Sequence, residues 1–410
     1  MREKLSSTLI CLALFCPGCG SPQPGRGVGE IGAARGENGQ PVQFRVETVA
    51  SNLEVPWAIA FAPDGRVFVT ERPGRVRVIE QGRLRPEPVA TIREVESAEE
   101  SGLMDLTLHP QFKSNHYLYL AYAYRNDGQR VRVVRFRETA GALAEPLVII
   151  ENIPAAHYHA GTRTRFGPDG KLYITTGDAT QRELAQRLDS LAGKTLRLDD
   201  DGGVPQDNPF VGLPNARPEI WSYGHRNAQG VAWQPVTDAQ FQTEHGPSGF
   251  DGPRGGDEVN VVERGNNYGW PVIHHTQTKE GMVAPLLEYT PAVAPAGVLF
   301  YRGAAFPQFR GDFFFGNLRG ERIIRVKLDG RRVVYQESLL QGRYGRIREM
   351  AEGPDGAIYF STSNRDGRGA PALNDDRILR LVPASNRGEP AVGMISGTVV
   401  TSAKAAGVSE

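Results

Sequence analysis

The sequence predicts an all-β chain, a six-bladed β-propeller with loop insertions, and three observations carry that expectation. A turn of the Pro-Asp-Gly type, followed by a run rich in Val, Ile, Tyr and Phe, recurs along the chain. Glycine and proline are abundant, 48 and 29 among 410 residues, and both interrupt helices. Helical periodicity is confined to one short candidate, "QRELAQRLDSLAGK" at residues 181–194.

The chain starts with a basic region, Arg2 and Lys4, then an apolar run "LICLALF", then "CPGCGS". This is the layout of a secretory signal, and the run is too short to span a bilayer. Glycine before Cys19 and a small residue after it resemble a bacterial lipoprotein cleavage site. Residues 1–19 are therefore expected to be a signal peptide with Cys19 as the lipidated residue; an ordinary cleaved signal is the alternative. The protein is then exported, either periplasmic or a membrane-anchored lipoprotein of a bacterium, touching the membrane only through its N-terminal lipid. All three cysteines, Cys11, Cys16 and Cys19, lie in this segment, which leaves the folded part without a disulfide. Residues 20–40 read as a flexible linker, 41–384 as the propeller and 385–410 as a flexible tail.

Within the propeller region, "FAPDGRVFVTE" (61–71), "FGPDGKLYITTGD" (166–178) and "EGPDGAIYFSTSN" (352–364) are close copies. Residues 108–124 and 306–326 are looser ones, and a less marked sixth lies around "GVAWQP" at 230–235. Each reads as a hairpin turn entering a buried strand, so the copies mark blades, and their irregular spacing requires insertions. The turn aspartates are expected to bond their own backbone. Function then collects on loops facing the central channel.

Basic and acidic side chains balance at 47 each, so no global field draws nucleic acid or an anionic membrane, and ligands must be recognised locally. His157 and His159 share a face if their segment is extended, which permits a metal pair or one histidine poised as a general base. In "YGHRNAQGVAW" (223–233), Arg226 and Asn227 are either blade-connecting or fixed donors to an anionic or carbonyl ligand. The glycine-rich acidic stretch 242–271 is either a solvated turn or, through backbone carbonyls and carboxylates such as Asp257 and Glu258, a site for a hard cation such as calcium. Arg346 and Arg348, two apart, could grip a multiply charged anion or form a surface pair.

Taken in order, from "PWAIAFAPDG" (56–65) to "DDRILRL" (375–381), these motifs resemble the soluble pyrroloquinoline quinone (PQQ) dependent sugar dehydrogenases, the glucose/sorbosone dehydrogenase family. "HAGTRTRFGPDG" then implies His159 as catalytic base, and "GHRN" implies Arg226 polarising the quinone carbonyl and Asn227 binding the cofactor. "EHGP" implies calcium on the Gly246 and Pro247 carbonyls; "DEVN" and "NNYGWP" imply a second calcium position using Glu258 and Tyr268. "RIRE" implies Arg346 and Arg348 neutralising cofactor carboxylates, and Arg319 stands where family members often have lysine. Glu100 replaces a substrate-contacting glutamine, and the aromatic residues that cover the cofactor in the glucose-oxidising member are absent from "EYTPAVAPAG" (288–297).

The implied reaction is oxidation of an aldose at C1 to the lactone, with PQQ and calcium as cofactors and an external electron acceptor. The alternatives are a calcium-dependent propeller lactonase, with His159 activating water, and a non-catalytic surface-anchored binding propeller. The arginine cluster discriminates, because a tricarboxylate cofactor needs it and a neutral substrate does not.

Overall fold

The structure, a computed structural model, describes residues 30–36, 39–139 and 141–384, and it is a six-bladed propeller. Blade one comprises Pro56–Phe61, Val67–Glu71, Arg75–Glu80 and Arg83–Leu84, with Ala90–Thr91 added to its third strand. Leu103–Leu108, Tyr117–Arg125, Gln129–Thr139 and Ala142–Pro154 form blade two. Blade three is Thr164–Phe166, Leu172–Thr175, Lys194–Leu198 and Ile220–Tyr223, and blade four is Ala228–Trp233, Gln240–Glu244, Asp257–Val262 and Leu287–Tyr289. Blade five takes Pro295–Phe300, Phe313–Asn317, Arg322–Asp329 and Arg332–Leu339. The sixth joins Ile347–Glu352, Ile358–Thr362 and Ile378–Pro383 to Pro41–Ala50 and Ile31–Arg35 from the other end of the chain. An antiparallel ladder, Val46 opposite Leu381 and Phe44 opposite Pro383, therefore closes the ring.

All six repeats fall between the first and second strands of a blade. Asp64, Asp169 and Asp355 accept the backbone N–H two residues on, at 3.0, 3.1 and 3.1 Å, which pins each turn. Central strands such as Tyr117–Arg125 are buried on both faces because each blade is packed between two others, so they read as continuous apolar runs. Apolar cores fill most of the blade interfaces. Phe68 and Val78 meet Leu106 and Tyr122 between blades one and two, and Phe314 and Ile323 meet Ile358 and Phe360 between five and six. Between three and four the contact is partly polar, with Tyr173 edge-on to Trp233 at 5.0 Å and Thr195 Oγ1 donating to Gln242 Oε1 at 2.9 Å.

Two expectations are corrected. Ile31–Arg35, inside the segment expected as a linker, is an edge strand paired with Pro41–Ala50. Gly32 lies against the Phe44 ring, where a Cβ would come within 2.5 Å, so the small residues that read as flexibility are what let this strand lie on the ring. The helix expected at 181–194 shrinks to one 3₁₀ turn, Arg182–Gln186. Gly193 then turns at φ +66° and Lys194 enters a strand, its buried ammonium donating to the carbonyls of Leu184, Ala185 and Ala192 at 2.9, 3.0 and 2.6 Å. The expected signal peptide, the linker before residue 30 and the tail 385–410 lie outside the described residues.

Candidate active site

Antiparallel blades put the start of every first strand and the end of every second strand at the same end of the ring. His159, Arg226, Asn227, Arg346 and Glu100 precede first strands, whereas Gly246, Arg319 and Asp366 follow second strands. Together they line a cavity of about 470 Å³, within the roughly 300–1,000 Å³ typical of ligand sites. The described lining residues include six arginines and four carboxylates, so the cavity is cationic although the chain is neutral.

His159 sits at φ +56°, so its segment is not extended and the paired-face arrangement with His157 does not form; His157 is exposed. The His159 carbonyl lies where a Cβ of Gly177 would be, at 1.8 Å, so only glycine fits there. Nδ1 of His159 lies 2.7 Å from Asp178 Oδ1, and Nε2 lies 2.8 Å from an Arg226 Nη2. Arginine can only donate, so Nε2 carries the lone pair and Nδ1 carries the proton given to Asp178. That is the tautomer a general base facing a cavity requires. Asp178 is itself fixed by the Thr180 N–H at 2.8 Å and by Trp270 Nε1–H at 2.9 Å.

Arg226 is buried over the Trp270 ring, 5.4 Å from its centroid, and donates to Asp251 at 2.7 Å, the His245 carbonyl at 2.9 Å and Ser248 Oγ at 3.1 Å. Its backbone N–H bonds Glu244, whose other oxygen meets His225 Nδ1 at 2.9 Å. Asn227 Oδ1 accepts from the Gly161 N–H and Gln229, and its amide donates to Glu100 Oε2 at 3.2 Å. Glu100 also accepts the His159 N–H at 3.1 Å and pairs with Arg368 at 3.0 Å. Burial opposes its ionisation, but His245, His159, Arg368 and that N–H bond outweigh burial and hold the carboxyl at about 2. Burial lowers His245 to about 4, so at neutral pH it is uncharged and Arg368 is the lasting cation beside Glu100.

Arg346 and Arg348 share one carboxylate. Arg346 binds Asp366 through Nε and Nη2, both at 2.7 Å, while Arg348 reaches it only at 3.8 Å and lies 4.0 Å over Trp57. Burial, with Arg346 and Arg163 nearby, disfavours the Arg348 charge against the pull of Asp366. An anionic ligand would relieve this pair, and Arg319 faces the same space. Below them Arg163 ties blades together, meeting Glu349, Asp105 and the Trp57 carbonyl.

Gly246 and Pro247 line the cavity, with Gly255 and Gly256 carbonyls 2.3 and 2.2 Å from where a Gly246 Cβ would stand. Glu258 and Tyr268 are not among the cavity-lining residues. Tyr268 directs its hydroxyl to Val261 O at 2.6 Å and accepts from the Glu263 N–H at 2.8 Å, so its side chain is not arranged as a calcium ligand. Glu258 accepts from Asn260 at 2.9 Å, and burial with the Glu244 carboxylate beside it pushes its carboxyl up. Among the described residues no cluster of three or more His, Cys, Asp or Glu is arranged to hold a metal.

Sequence reasoning missed Asp178, Asp366, Asp251, Trp270 and His245. For Asp178 a signal was available, since it follows the second strand of its blade by three residues, at the end where the other site residues lie.

Fold and cavity thus define a β-propeller with a cationic ligand site and a buried histidine–carboxylate pair. The chain belongs to the glucose/sorbosone dehydrogenase family, whose model matches residues 53–379, and it is an oxidoreductase of that family. The aldose sugar dehydrogenase YliI of Escherichia coli is 34% identical over 347 residues, covering 80% of this chain and 92% of that one. Quinoprotein glucose dehydrogenase B of Acinetobacter calcoaceticus is 30% identical over 281 residues, 60% of this chain and 55% of that one. A structure of the PQQ-bound aldose sugar dehydrogenase of Streptomyces coelicolor, 31% identical, superposes with a TM-score of 0.73 over 83% of this chain and 99% of that one.

Proposed function

We propose that this protein oxidises aldose sugars at C1 to the lactone, using PQQ and calcium and passing the electrons to an external acceptor. The observation that carries this reading is the buried Arg346–Arg348 pair with one carboxylate between them, in the same cavity as a correctly protonated His159. The residues fit the cofactor. Arg346, Arg348 and Arg319 would meet its carboxylates, and Asn227 with the orphaned Gln229 Oε1 would fix its polar edge. Hard oxygen donors at the Gly246 and Pro247 carbonyls suit calcium.

When bound, PQQ supplies what the side chains lack, acceptance of a hydride from C1. His159 Nε2 takes the proton of the C1 hydroxyl, which displaces the Arg226 contact now on that nitrogen. The resulting imidazolium is stabilised by Asp178, and Arg226, freed from Nε2 but still held by Asp251, turns its guanidinium to the negative charge that develops. Glu100 and Arg368, paired at the mouth, offer an acceptor and a donor to sugar hydroxyls. A hydrolase acting on a neutral lactone has no use for this many cations. Export with lipidation at Cys19 belongs to the same reading, since an external acceptor is met outside the cytoplasm.

His159→Ala tests the assignment. PQQ and calcium should still bind with little change, while aldose-dependent dye reduction falls by roughly 10²–10⁴-fold, the usual contribution of a general base. Full turnover by the reconstituted variant would remove the role.

A further inference from the structure

The geometry points to Phe250 as the platform that receives the C–H face of the sugar ring and so sets selectivity for pyranose substrates. This rests on the sugar-oxidising reading above. Phe250 is 66% exposed, yet its ring lies on the His159 imidazole at 5.7 Å between centroids and 27° between planes. One face is thus set against the base, and the rest is open to solvent two residues from Ser248, which lines the cavity.

The exposure is imposed by a frame. Asp251 Oδ2 accepts from Arg226 Nε at 2.7 Å, and Asp251 Oδ1 accepts the Ser248 N–H at 2.9 Å. Ser248 Oγ bonds Arg226 at 3.1 Å, Arg182 donates to the Asp251 carbonyl at 3.0 Å, and Gly249 turns at φ +99°. Residues 248 and 251 are therefore pinned to Arg226 on either side of Phe250. A large apolar side chain held in water beside a base calls for a ligand with an apolar face.

The cavity itself offers no such face. Its described lining includes no Phe, Tyr or Trp, and in the stretch from which the covering aromatic residues of the glucose-oxidising member are absent the wall is Ala292 and Ala294. Sugar hydroxyls have Glu100 and Arg368, but the C–H surface of a pyranose has no partner there. A hydroxyl brought to Nε2 of His159 approaches an imidazole whose centroid lies 5.7 Å from that of the Phe250 ring. A pyranose satisfies both groups at once, with polar edges on the ion pair and its C–H face on the aromatic ring. An acyclic or planar ligand satisfies only one.

The test uses the protein reconstituted with PQQ and calcium, as wild type, Phe250→Ala and Phe250→Trp. Binding of 1,5-anhydroglucitol, an inert pyranose without a C1 hydroxyl, is titrated beside steady-state kinetics with glucose. The alanine variant should weaken anhydroglucitol binding and raise KM for glucose about tenfold, with kcat falling less than threefold, and tryptophan should restore both. Tenfold corresponds to about 1.4 kcal/mol. Binding and KM within twofold of wild type would overturn the platform, as would a loss confined to kcat, which would make Phe250 a support for His159. A wild-type holoenzyme that binds anhydroglucitol but oxidises no aldose would instead overturn the reading beneath it.

Discussion

Asp178→Asn isolates the contribution of the histidine–carboxylate pair. Both carboxylate oxygens accept from donors: Oδ1 from His159 Nδ1–H and Thr180 N–H, Oδ2 from Trp270 Nε1–H. An asparagine must therefore set its NH2 against one of these N–H groups. If it faces Trp270, the His159 tautomer survives but the charge that stabilises the imidazolium is gone. If it faces His159, the proton moves to Nε2 and the base is lost. In the milder case a charge-assisted hydrogen bond, about 1.5–3 kcal/mol, becomes a neutral one of about 0.5–1.5 kcal/mol. That difference of about 1–2 kcal/mol slows the chemical step roughly 5- to 30-fold. The Asn–Trp270 conflict, about 1–3 kcal/mol, is present before and during reaction and lowers folding stability instead. The assay is single-turnover reduction of the bound cofactor by an aldose, followed in a stopped-flow spectrometer so that re-oxidation does not contribute. A rate within threefold of wild type, with the cofactor fully bound, would show that Asp178 does not act through His159.

Arg348→Met should separate binding from folding. The apoprotein should unfold at a higher temperature, because a buried, poorly compensated cation is gone, while PQQ affinity falls about 100-fold by titration. His245 gives a pH signature. Its folded value of about 4 lies below the ordinary 6.5, so between those limits the unfolded chain binds more protons. Apoprotein stability should therefore fall as pH drops from 6.5 towards 4, by up to roughly 3 kcal/mol. His245→Gln should flatten that slope in urea titrations across this range. Glu100 adds loss only below about 4.5, through its depressed value near 2, so the two groups separate by pH.

The fold was legible because a propeller repeats its signal. Each Pro-Asp-Gly turn carries its own evidence in the aspartate bond to residue i+2, and six copies gave six blades. The closing blade was not legible in full, because Ile31–Arg35 has one fully buried apolar side chain, Ala34, and its glycine reads as a breaker until Phe44 is known to lie beneath it. For the site, His159, Arg226, Asn227 and the arginine pair were found by motif, and they do converge. Their partners were missed: Asp251 and Asp366 act across loop closures that sequence spacing does not encode, and Asp178 was marked only by its place just after a second strand. The share of a single aspartate between Arg346 and Arg348 is visible only in three dimensions, yet it does most to distinguish an anion site from a surface pair.

Titrating the purified protein with PQQ in the presence of calcium, then adding an aldose, tests the central claim most directly. Saturation at one cofactor per chain, followed by sugar-dependent loss of the oxidised quinone spectrum and formation of the corresponding lactone, is the predicted result. Saturable binding that Arg348→Met leaves untouched, or a loaded cofactor that no aldose reduces, would contradict it.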